Sequence, residues 1–139
     1  MFSSSNEKNQ ISKVFGDLTT NQKMSIINLL LSIALCDQDL GDRNKEMNCL
    51  NIYSDILDVK SDLCLTYYAK GFQIMINDLK ILNENQKDFL IVAAFEMITC
   101  DTSPNEIELA VTEQLFEQIG VEWSKVLRVI EKAGLFLKP

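Results

Sequence analysis

The chain contains no histidine, and that absence removes a large part of enzyme chemistry at once. Ser-His-Asp and Cys-His catalysis and imidazole-held zinc are excluded within the chain, as is the Glu-x-x-His pairing of helical di-iron centres. Glycine and proline are scarce, five and two in 139 residues, and no Gly-rich segment ending in Gly-Lys-Ser/Thr is present to cradle phosphate. Basic side chains are outnumbered: 13 Lys and Arg against 20 Asp and Glu leave a net charge of −7. Such a balance argues against nucleic acid, whose affinity comes from neutralising phosphates, and against an anionic membrane surface. The longest apolar run, 29–36, falls far short of the ~20 residues of a membrane span. Met1-Phe2-Ser3-Ser4-Ser5 has neither the basic start nor the apolar stretch of a secretory signal, so the expected compartment is the cytoplasm. The four cysteines, Cys36, Cys49, Cys64 and Cys100, form no Cys-x-x-Cys pair. They read as small buried apolar side chains in a reducing compartment, and their even number leaves disulfides open.

What the chain does have is apolar content, 47%, arranged with helical period. A length of 139 residues suits one domain that buries roughly two thirds of its unfolded surface. Residues 1–10, rich in Ser and Asn, are expected to be flexible, with a single α-helical domain over 11–139. A short helix is expected near 8–15. Thr19 followed by Gln22 is a capping-box pattern and opens a helix over about 20–36, striped by Ile26, Ile27, Leu30, Ile33 and Ala34. The acidic stretch 37–42 reads as a loop, and a helix follows over 43–57, burying Met47, Leu50, Tyr53, Ile56 and Leu57. From 62 to 82 an apolar pattern runs through Leu65, Tyr68, Phe72, Met75, Ile76, Leu79 and Leu82, with Gly71 inside it as a break or a close helix contact. Asn83 and Asn85 are cap candidates for a helix over 84–100, apolar nearly all round and therefore central. Ser103-Pro104-Asn105-Glu106 opens the next helix, which stops at Gly120, and an amphipathic helix over 122–133 stops at Gly134. No period-2 alternation appears, so the predicted class is all-α, a bundle of six or seven helices.

Two helix–loop–helix segments align with each other. With Lys23 over Lys87, Ile26 meets Leu90, Ile27 meets Ile91, Leu31 meets Phe95 and Ile33 meets Met97. Cys36-Asp37 then meets Cys100-Asp101. After a two-residue gap Glu46 meets Glu108, Met47 meets Leu109, Leu57 meets Ile119 and Val59 meets Val121. Each copy reads as an apolar helix, an Asp at its end, a polar loop, and a Glu in the first turn of the next helix. The expectation is a bundle of pseudo-duplicated halves.

This repeated pattern resembles the tellurite-resistance TerB-like family, which also includes the N-terminal region of the DjlA-type co-chaperones. In that family a helix ends in a small residue and Asp-Gly-Glu, and a Glu follows seven residues after the first Asp. Asp101 and Glu108 keep that spacing, while Asp37, Asp39 and Glu46 show it stretched by two residues. Gln38 and Thr102 stand where the family has Gly, and Ser103 where it has its second acid. The resemblance runs over 23–129. It implies an all-helical fold and a non-enzymatic binding or scaffolding role linked to a tellurite-type stress response.

The sharpest candidate chemistry is a recognition or divalent-cation site in the acidic loops, built from Asp37, Asp39, Asp42, Glu46, Asp101, Glu106 and Glu108. Hard cations such as Ca²⁺ take six to eight oxygen ligands, and clustered carboxylates supply them. Gly41, Asp42 and Asn48 occupy positions that exclude an EF-hand loop. A plainer account exists for the same residues. Glu106 and Glu108 each stand three after a cap candidate, Ser103 and Asn105, and first-turn acids favour the positive end of a helix. No catalytic residue and no other cofactor is assigned. The expected partner is another protein, with a basic one as an option. Two rival readings use the same acids: an immunity-type inhibitor masking a basic active site, and, further off, a carboxylate-based hydrolase. Trp123, Tyr53, Tyr67 and Tyr68 read as core or core-edge aromatics, one of the adjacent tyrosines facing out. Lys125, Arg128 and Lys132 form a basic stripe, a solvated face or a dock for an acidic partner.

Overall fold

The capping box expected at Thr19 forms in the computed structural model. Thr19 Oγ1 accepts from the Gln22 amide at 3.1 Å, and Gln22 Oε1 accepts from the Thr19 amide at 3.0 Å. It starts the first of seven helices among the described residues, which are 18–36, 43–99 and 106–132, less the side chains of 43–46 and 61. These helices are α1 (Thr20–Leu35), α2 (Arg43–Leu57), α3 (Ser61–Tyr68), α4 (Phe72–Lys80), α5 (Glu84–Thr99), α6 (Glu106–Gln118) and α7 (Trp123–Lys132). No strand occurs among the described residues, and the fold is all-α in one domain. None of the described helices is long and apolar enough to cross a membrane. The expectations for the N-terminal segment, the 8–15 helix, the Ser103-Pro104 start, the Gly134 stop, Cys100 and both acidic loops lie outside the described residues.

Helix α5 is central, as its composition predicts: Leu90, Ile91, Ala93, Ala94, Phe95, Met97 and Ile98 have no exposed surface. Helix α1 is equally central. Ile26, Leu29, Leu30 and Ile33 are fully buried, and α2, α3, α4, α5 and α6 all pack against it. At roughly 1.5–3 kcal/mol for each large apolar side chain removed from water, these two helices supply the largest shares of the core's driving force. Tyr53 is buried edge-on to Phe89 at 6.0 Å between ring centroids, and Phe95 lies 5.8 Å from Trp123. These aromatics are core, not a ligand cage.

The 62–82 pattern divides into α3 and α4. Gly71 takes φ +119° and ψ 154°, a region open to glycine alone, and a Cβ there would meet nothing within 4 Å. The glycine therefore serves a sharp break and not a close helix contact. The break also turns Leu65, Tyr68 and Phe72 outward, 57%, 41% and 42% exposed, whereas a single continuous helix would have carried them along the core stripe. Tyr67 goes in and Tyr68 out.

Local geometry recurs along the chain. Helix α5 opens on a second reciprocal box, with Asn83 Oδ1 accepting from the Gln86 amide at 2.8 Å and Gln86 Oε1 from the Asn83 amide at 2.9 Å. Helix α2 ends with Asp58 at φ +56° and α6 with Gly120 at φ +84°. Both ends carry the Schellman pair of bonds: Val59 to Ser54 with Asp58 to Asp55, and Val121 to Phe116 with Gly120 to Glu117. The turn into the following helix matches too, Cys64 bonding back to Lys60 and Val126 to Glu122, each at 3.2 Å.

Candidate functional site

Of the acidic residues singled out in the sequence, Glu106 and Glu108 have described side chains. Both lie in the first turn of α6 but on different faces: Glu106 is exposed and Glu108 only 2% exposed. Asp37, Asp39, Asp42, Asp101 and the Glu46 side chain lie outside the described residues. Among the described residues no group of three acidic or cysteine side chains is placed to hold a metal ion. Glu106 and Glu108 therefore do not fit a cation site by themselves.

The basic stripe lies where α7 meets the start of α5. Lys125 forms an ion pair with Glu84 and approaches Asp88 at 3.5 Å, and Arg128, Val129 and Lys132 complete an open cleft of about 470 Å³. The hydrogen bond with Glu84 raises the Lys125 pKa, and the same bond lowers that of Glu84. Glu84 is thus ion-paired with a lysine on an open surface.

A second polar assembly lies between α1, α3 and α4. Ser25, Asn28 and Ser32 follow one another at helical spacing on one face of α1. Ser25 Oγ donates to Asp78 Oδ2 at 2.8 Å, and Tyr67 Oη donates to the same oxygen at 2.5 Å. Lys70 Nζ stands 5.3 Å from the Tyr67 ring centroid, a cation–π contact. Burial first, then the bond to Asp78, push the Tyr67 phenol up to about 12. Ser32 gives its proton to the Asn28 carbonyl at 2.9 Å, so it accepts from Tyr68 Oη, 3.3 Å away. Asn28 itself is fully buried, and neither atom of its carboxamide has a hydrogen-bond partner. Burying such a group without a partner costs about 1–3 kcal/mol.

This seam was missed in the sequence. Its signal was present as three polar residues at i, i+3 and i+7 inside an otherwise greasy helix. Outside the seam, α3, α4 and the residue ending α4 expose Leu63, Leu65, Tyr68, Phe72, Ile74 and Ile81, most of the exposed large apolar side chains among the described residues. No family model matches the chain, and no curated protein or solved structure is significantly similar to it.

Proposed function

We propose that the chain is a non-enzymatic binding module of the TerB-like kind, made of two copies of a three-helix unit, α1–α3 and α5–α7, joined by α4. The acidic loops that follow α1 and α5 form its recognition surface, and a protein with a basic contact face is its partner. The observation that carries this reading is the recurrence of local geometry. The same two capping boxes, the same two left-handed caps and the same helix entries fall on residues that the sequence alignment pairs. The exposed apolar side chains of α3 and α4 support a protein partner further, since such clusters mark interaction surfaces. A divalent cation in the acidic loops would depend on Asp37, Asp39, Asp42, Glu46 and Asp101, because Glu106 and Glu108 do not share a face.

Thermal melting with Ca²⁺, and separately with an oligolysine peptide, tests the reading. The reading expects a rise in Tm with at least one of the two, weakened by salt and lost in an Asp37→Asn, Glu46→Gln double variant. A response to the peptide with none to Ca²⁺ favours the immunity-type use of the same acids. No response to either, or one that the double variant retains, contradicts the assignment of the acidic loops.

A further inference from the structure

We propose that α3 is a hinged lid, swinging about Gly71 off the face of α1 while the rest of the bundle stays folded, and uncovering the Ser25–Asn28–Ser32 stripe. This goes beyond the binding-module reading and does not depend on it. Helix α3 has eight residues, and α1 is its one substantial helix neighbour among the described elements. Two of its side chains, Cys64 and Tyr67, are buried, while Leu63, Leu65 and Tyr68 face outward.

The surface it closes on is polar. Its closed state is held by the bonds from Tyr67 to Asp78 and between Tyr68 and Ser32, and opening lets water reach the stripe on which the Asn28 carboxamide is buried without a hydrogen-bond partner. Rehydration of Asn28 offsets part of what the helix loses on opening. Both ends of α3 suit a moving element. Lys60, its N-cap, makes no side-chain cap bond, and Gly71 beyond its C-terminus has the dihedral freedom of a hinge with open space around it. Helix α7 follows the matching cap in the second half and is held differently. It packs on α5 and α6 through Val126, Ile130 and Trp123.

Two cysteines provide the test in the full chain. Cys64, on the inner face of α3, is 1% exposed, and Cys49, on α2, is 2% exposed. A thiol reagent reaches either only when its surroundings open. Labelling with N-ethylmaleimide under native conditions, resolved by peptide mass spectrometry and corrected for unfolded-chain reactivity, compares the two. The lid predicts that Cys64 reacts at least tenfold faster than Cys49. It also predicts that Asn28→Val, which places at this position the residue found at the matching site of α5, lowers the Cys64 rate itself severalfold. Equal rates for the two thiols overturn the lid. A Cys64 rate unchanged by Asn28→Val overturns the part given to Asn28.

Discussion

Helices α3 and α7 follow matching caps and enter by matching turns, yet they are held in opposite ways. Helix α7 rests on an apolar bed, with Val126 and Ile130 buried, Trp123 against Phe95, and Lys125 clamped to Glu84 and Asp88 at the rim. Helix α3 rests on a polar stripe, tied through Asp78 and Ser32, with apolar side chains facing water. At aligned positions α5 has Phe89 and Val92 where α1 has Ser25 and Asn28. One backbone plan thus carries its third helix on largely apolar contacts in one half and on largely polar ones in the other.

The largest way to break this contrast is to remove the bed under α7. Phe95→Ala empties a site with no exposed surface and takes away the partner of Trp123. Urea unfolding is expected to show a loss of about 3–5 kcal/mol. Next comes the opposite change in the first half. Asn28→Val removes a buried carboxamide with no partner and is expected to stabilise the chain by about 1–3 kcal/mol, or to be neutral if the shorter, branched side chain packs less well. A loss of that size would mean that Asn28 is satisfied in a way the geometry does not show.

Smaller effects test the paired caps. Asp58 and Gly120 both hold left-handed dihedrals, which favour glycine. Gly120→Ala is expected to destabilise by about 1 kcal/mol and Asp58→Gly to stabilise by up to about 1 kcal/mol, both read from urea midpoints. The smallest effect is in alkali. The Tyr67 phenol is raised from 10.0 to about 12 by burial and its bond to Asp78, so its neutral form is favoured in the folded chain. Its contribution to stability is complete below pH 10 and is lost as pH rises towards 12. Phenolate absorbance should therefore show Tyr67 titrating near 12, with Tyr53, pushed further upward chiefly by burial, ionising later still. Replacement of Asp78 by Asn should bring the Tyr67 midpoint down.

Much of the architecture was legible because helical signals are local. The Thr19–Gln22 box, the Gly120 stop and the all-round apolar character of α5 each depend on neighbours within a few residues. Leu65, Tyr68 and Phe72 were harder to place. Apolar periodicity marks a face but not what covers it, and the break at Gly71 turned that face to solvent. The seam escaped for the complementary reason: Ser25, Asn28 and Ser32 are unremarkable until α3 and α4 close over them. Glu108 shows the same limit, since a first-turn acid reads as exposed until the bundle around it is known.

Native-state hydrogen exchange on α3 and α7 in the same sample tests the uneven holding of the two helices most directly. Amides of α3 are predicted to exchange through a local opening, with protection well below that of α5 and little dependence on urea. Those of α7 should share the protection of the core and exchange with global unfolding. Equal protection and equal urea dependence in the two helices would contradict the account.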